Sequence, residues 1–255
     1  MIDVVAAVND EAVLANNLLR SPMMARPDVR FHARRGFSSA TGAYLDALGE
    51  CEADLVVFAH QDVYLPAGWE ALLRAQVACL ERTDPDWAVL GVYGVAADGR
   101  HHGCVWSSGL QRVLGCAFEQ PVPVISLDEV LVVLRRDSGL AFDAWLPGFH
   151  LFATDLVQTA LAAGRGAYVV CAPIVHNSRP MPYLRADYFQ AYRYMTHKWS
   201  DRLPIRTPCA ELLPPGPGFL WVRARHKIEE WRVGPHARVD RGVDCVEKAR
   251  ELEFE

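Results

Sequence analysis

Apolar positions along the first ninety residues switch repeatedly between a strand period and a helix period. Ile2–Val8 is a continuous apolar run of β type, the pattern of a strand covered on both faces. Glu11–Leu19 follows, with Val13, Leu14, Leu18 and Leu19 on one helical face and Asn9 or Asp10 available as its cap. Val29–Ala33 predicts a second strand, and Ser38–Leu48 a second helix, entered through Gly36 and capped by Ser38 or Ser39. Leu55–Ala59 reads as a fully buried strand and runs directly into His60-Gln61-Asp62. A Pro66-Ala67-Gly68 turn, a helix from Trp69 to about Glu81 and a strand at Ala88–Tyr93 complete this half. Successive βα units predict an α/β fold with a mostly parallel sheet flanked by helices.

After Gly94 the rhythm changes. Residues 96–121 are rich in Gly, Ser and His and predict a loop or hairpin across the sheet face. Val122–Leu127 and Val130–Leu134 are strand-like and split by Asp128-Glu129. A helix at Leu151–Ala163, a strand at Ala167–Cys171 and the run Pro173-Ile174-Val175-His176 follow. Beyond Pro180 come an aromatic-rich helix, Ala186–Trp199, a Pro/Gly stretch at 214–218 and a basic, then acidic, tail. The simplest division is a domain over 1–180 and a helical and loop extension over 181–255.

Of the 255 residues 51% are hydrophobic and 22% charged, enough apolar material for a large buried core. Lys+Arg 26 against Asp+Glu 31 gives a net charge of −5, which weighs against a nucleic-acid partner. No apolar run approaches the ~20 residues of a transmembrane helix, and the N-terminus reads as a strand, not a signal peptide. Seven scattered cysteines without CxxC spacing argue for reduced thiols, and the expected location is the cytoplasm.

Open α/β sheets bind ligands beyond the carboxyl ends of their parallel strands. Three polar clusters are expected there: Asn9, His60-Gln61-Asp62, and His176. A carboxylate and an imidazole meeting at such a rim can hold Mn²⁺ or Mg²⁺. On spacing alone, the plainer reading is that Asp62 caps or turns the chain and that His176 is a satisfied, partly buried histidine.

The run Leu55-Val-Val-Phe-Ala-His-Gln-Asp-Val-Tyr-Leu-Pro-Ala-Gly-Trp69 resembles the metal-site strand of family-2-like, GT-A-fold glycosyltransferases, nearest to the StrF-type branch, where His-Gln-Asp stands for the usual Asp-x-Asp. Two further blocks are similar to that group in order and spacing: Asp128 through Asp155, and Gly164 through Ser178. The resemblance implies a GT-A-like glycosyltransferase, inverting and metal-dependent, using a nucleotide-diphosphate sugar and a small-molecule or saccharide acceptor. It implies that Asp62 and His176 bind the metal and that Asp155 is the general base. It sets Asn9, Glu11, His60, Gln61 and Asp62 against the donor, and His150, Asp128 and Glu129 on the acceptor side; the extension over 181–255, by its aromatic residues and Pro/Gly stretch, is expected to pack on the acceptor side as well. The chain departs from the pattern where His60 replaces an acidic residue and where Thr154-Asp155 replaces a Glu-Asp pair.

Two rivals stand beside this reading: a non-catalytic GT-A-like protein that binds nucleotide or sugar, and a metal-dependent hydrolase built on His60, Asp62, Asp155 and His176. Trp106 and Trp145 could stack on a sugar or simply pack, and the aromatics of Ala186–Trp199 could line the acceptor side or close the core. His101-His102 reads as an exposed polar loop. Trp221–Arg241 holds six Lys/Arg against three acids, which reads as a solvated helix face, with docking on a membrane surface as the alternative.

Overall fold

The computed structural model describes residues 1–180, 183–233 and 242–255. The first half contains β1 (Ile2–Val8), α1 (Glu11–Asn16), β2 (Val29–Arg35), α2 (Ala40–Leu48), β3 (Leu55–Ala59), β4 (Val63–Tyr64), α3 (Trp69–Thr83), β5 (Trp87–Gly91) and β6 (Tyr93–Val95). Then come β7 (His101–Ser107), β8 (Arg112–Cys116), β9 (Val122–Pro123), β10 (Ser126–Leu127), β11 (Leu131–Arg135), α4 (Phe152–Ala162), β12 (Gly166–Val169) and β13 (Ile174–His176). The last part holds α5 (Ala186–Lys198), β14 (Ile205–Arg206), β15 (Glu211–Leu212), α6 (Pro217–Val233) and α7 (Cys245–Glu251).

The main sheet has seven strands in the order β2-β1-β3-β11-β5-β12-β9. β1 runs parallel to β2 and β3, and β12 parallel to β5, while β11 is antiparallel to both β3 and β5. The expectation of a mostly parallel sheet flanked by helices holds, and β3 is buried along its whole length as a central strand must be. Local capping follows the side chains. Asp10 accepts from the backbone N–H groups of Ala12 and Val13 at the start of α1, and Ser39 accepts from Gly42 at the start of α2.

A second sheet, β10-β6-β7-β13-β4 with β8 on β7, was not anticipated as a sheet. His101 and His102 belong to β7, not to a loop. The β7–β8 pair depends on two glycines. A Cβ on Gly115, at φ 75°, would lie 2.1 Å from the Gly103 carbonyl oxygen, so the backbones meet where only glycine fits.

One apolar core joins β1, β3, β5, β11, α2 and α4 to α5, and Tyr192, Met195 and Trp199 are buried in it beside Phe152 and Leu156. The aromatic helix therefore serves mainly to close this core. At the other end of the chain α7, capped by Asp244, packs Cys245 and Ala249 against Tyr64, Trp106 and Val175. Trp106 is covered by Lys248, whose ammonium lies 4.7 Å from the ring centre, so it is a packing residue; Trp145 is exposed.

Candidate active site

Strand direction brings the polar residues together. β1 and β3 end side by side, and β11, being antiparallel, begins where β3 stops, with Leu131 opposite Ala59. Asp128 and Glu129 are therefore delivered to the same rim as Asn9 and His60. His176 arrives from the second sheet: it pairs with Val63 of β4, and the next N–H, that of Asn177, donates to the Asp62 carbonyl at 2.8 Å. That non-local pairing sets the Asp62 carboxylate against the His176 ring.

These residues line a cleft of about 650 Å³. Its lining includes Asn9, His60, Gln61, Asp62, Asp128, Glu129, His150 and His176, with Phe37, Tyr44, Phe149 and Tyr188 as apolar walls. His176 Nε2 lies 3.4 Å and His60 Nδ1 3.9 Å from Asp62 Oδ1, and the two imidazoles meet edge to face with centroids 5.8 Å apart. Asp62 Oδ1 is buried yet accepts no hydrogen bond. Burial acts to raise the Asp62 carboxyl, but the charge of His176, with His60 beside it, outweighs this and holds it well below the usual carboxylate range. A buried anionic oxygen without a donor, between two imidazoles, fits a divalent cation that accepts N and O ligands. A second grouping, Asp3, His32 and Cys51, lies at the opposite end of β1. There the Asp3 carboxylate is fully engaged by Arg30, His32 and the N–H groups of Glu52 and Ala53, so it holds the fold together.

Glu129 was expected only on the acceptor side, and its environment gives it more. Burial, then the neighbouring Asp128, pushes its carboxyl up to about 8. Its Oε1 accepts a short hydrogen bond from the Leu151 N–H, and Leu151 stands at φ 64°, left-handed backbone that costs a non-glycine residue ~1–3 kcal/mol. The entry to α4 is thus bent onto a cleft carboxylate.

Other expected site residues fall differently. Gln61 lines the cleft, but its Oε1 accepts from the Asn9 and Asp10 N–H groups and its amide donates to Asn9, clamping β1 to β3. Glu11 is turned to solvent and ion-paired with Arg35 at 2.6 Å, away from the cleft. Asp155 is only 2% exposed and does not line the cleft. Its carboxylate accepts from Lys198 Nζ at 2.9 Å and from Trp199 Nε1 at 2.8 Å. Lys198 also donates to Asp143 at 2.6 Å, so two carboxylates share one ammonium. Burial pulls the Lys198 ammonium down, but these carboxylates outweigh it and hold it above its ordinary range. The phase of α4 turns Asp155 inward, toward α5.

No family model matches the chain. A curated relative, the "ATP synthase subunits region ORF 6" protein of Fuscovulum blasticum, is 30% identical over 161 residues. The match takes in 57% of this chain and 62% of the relative, so the chain spans less than two thirds of that protein. Among solved structures, GalNAc-T7 with UDP, GalNAc and Mn²⁺ superposes with a TM-score of 0.52 at 11% identity, over 79% of this chain and 48% of that one. The mannosyltransferase PcManGT from Pyrobaculum calidifontis, in complex with GDP-Man and Mn²⁺, gives a TM-score of 0.48 at 11% identity, over 92% and 72% of the two chains. The likeness to GalNAc-T7 establishes a GT-A-like fold.

Proposed function

We propose that this protein is a metal-dependent, inverting glycosyltransferase that moves a sugar from a nucleoside-diphosphate donor to a hydroxyl of a small molecule or saccharide. The observation that carries the reading is the buried Asp62 Oδ1, which accepts no hydrogen bond, between His60 and His176 at the strand-end rim of a GT-A-like sheet. The GalNAc-T7 structure of the same fold holds UDP and Mn²⁺, which is the pairing this cluster suits. The cleft volume lies within the ~300–1,000 Å³ range of small-ligand sites.

Asp62, His60 and His176 would hold the cation, which when bound neutralises charge gathering on the leaving diphosphate. Asn9 at the end of β1 faces the nucleoside end of the donor, and Phe37, Tyr44 and Phe149 supply apolar walls beside it. Glu129 takes the acceptor proton. As the acceptor oxygen bonds to the anomeric carbon, the bond from that carbon to the diphosphate oxygen breaks and the nucleoside diphosphate leaves with the electron pair. A carboxyl that titrates near 8 is suited to this task, since a general base works best with a pKa near the operating pH. Asp155 supports the site from behind, by fixing α4 against α5.

The test is nucleoside-diphosphate release from UDP- and GDP-sugars with Mn²⁺, first by slow hydrolysis and then with an acceptor panel. The reading expects release that requires the metal and falls at least ~10²-fold in Glu129→Gln at unchanged donor affinity. Metal-dependent nucleotide binding with no release under either condition would make the protein a binder.

A further inference from the structure

A surface helix needs one apolar stripe, and α6 has two. Its half-buried positions, Phe219, Val222, His226, Glu229 and Val233, recur every three or four residues and form the inner face. Phe219 and Val222 pack on the main core, with Phe219 5.2 Å from the Tyr192 ring, and His226 Nδ1 accepts the Leu184 N–H. The opposite face carries Leu220, Trp221, Ala224, Ile228 and Trp231, which at ~100° per residue fall within about 100° of arc. The four large residues of this face are 61%, 63%, 52% and 84% exposed, and none of them belongs to a core cluster of the described residues.

Charge surrounds this outer stripe on both sides. Arg223 and Lys227 flank one edge, next to Arg193 of α5 in a shared groove of about 290 Å³ that Glu230 also lines. Arg225 and Arg232 flank the other edge, with the Arg225 guanidinium 5.7 Å from the Trp221 ring centre. The helix holds four Lys/Arg against two Glu in a chain whose net charge is −5. Arg238 and Arg241, counted with this basic segment from the sequence, lie outside the described residues.

We propose that α6 is an interfacial helix that docks the protein on an anionic membrane surface. The outer stripe enters the headgroup boundary, with Trp221 and Trp231 at the interfacial depth that tryptophan favours, and the flanking cations meet lipid phosphates. Charge selects this occupant over a second copy of the chain, because stripe-to-stripe pairing would bring the two cationic edges against each other. No helix of the described residues is long and apolar enough to cross a membrane. The inference is independent of the reaction assigned to the cleft.

Vesicle sedimentation of the whole protein tests it, using phosphatidylcholine with and without phosphatidylglycerol at about 0.1 M salt. Partitioning onto anionic vesicles is expected to exceed that onto neutral ones at least tenfold. Trp221→Ser with Trp231→Ser should abolish it at unchanged melting temperature, since both side chains are exposed. Arg225→Gln and Arg232→Gln should each lower it about fivefold. Equal partitioning onto both vesicle types would overturn the anionic assignment. A concentration-dependent dimer lost in the double Trp variant, without vesicle binding, would assign the stripe to self-association.

Discussion

Replacing Asp155 separates a supporting carboxylate from a catalytic one. In Asp155→Ala the Trp199 Nε1–H loses its acceptor at a buried site, which costs ~1–3 kcal/mol. Lys198 loses one of two partners but keeps Asp143 at 2.6 Å and is partly solvated, so the ~3–5 kcal/mol expected when a buried pair is broken is not reached. The variant is also relieved of a desolvated carboxyl, since burial pushes Asp155 up and Lys198 and Trp199 pull it back only in part. The net expectation is ~2 kcal/mol of lost stability, or about 4–8 °C in melting temperature for a chain of this size. Asp155→Asn, which can still accept from Trp199, should lose about half as much. Thermal melts and UDP or GDP titrations of both variants form the assay, with Lys198→Met completing a double-mutant cycle whose coupling should exceed ~0.5 kcal/mol. Nucleotide affinity and turnover per folded molecule should stay within a few-fold of wild type. A variant with wild-type melting temperature whose turnover falls ~10²-fold would make Asp155 the proton acceptor and refute the role given to Glu129.

Glu129 also leaves a signature in pH. Its folded pKa of about 8 lies above the ordinary 4.5, so its contribution to stability is full below about 4.5 and is lost as pH rises through 8. Glu129→Gln should therefore melt progressively higher than wild type as pH increases over this window, and parallel melting curves would contradict the burial argument. Turnover, which needs the ionised form, should rise with pH toward 8 in wild type. Asn177→Ala removes hydrogen bonds to Val243, just before α7, and to Asn17, so it should loosen the packing of α7 on the second sheet by ~1–3 kcal/mol and weaken Mn²⁺ binding measured by calorimetry. Unchanged metal affinity at lowered stability would show that the Asn177–Val243 contact does not position His176.

Elements buried on both faces were readable from the chain because burial demands continuous apolar residues: Ile2–Val8 and Leu55–Ala59 appear as such runs. The rim position of Asp62 followed, since a polar residue directly after a buried strand has few other places to go. The contact of His176 with Asp62 depends on β13 pairing with β4 across more than a hundred residues; the strand-end rule brings both residues to one rim, and the pairing that sets them in contact is not legible in spacing. The general-base role that resemblance implies for Asp155 needs it to face the cleft, and its helical phase can be read only once Lys198 and Trp199 are known to lie on that side. Of the loop and hairpin readings of residues 96–121 the structure takes the hairpin, β7–β8, and only His101-His102 read wrongly as loop; Gly103 and Gly115 are there to let two strands touch. The special environment of Glu129 carries no sequence signal, since it arises from burial and from a backbone N–H that a left-handed Leu151 presents.

The central claim is that Asp62, with His60 and His176, holds a divalent cation that binds the donor diphosphate, and calorimetric titration of UDP and GDP with and without Mn²⁺ tests it most directly. Wild type should bind one of these nucleotides at least tenfold more tightly with the metal, and Asp62→Ala should bind it equally weakly in both conditions while melting close to wild type. Metal-enhanced affinity that survives in Asp62→Ala, or no metal effect in wild type, would contradict the account.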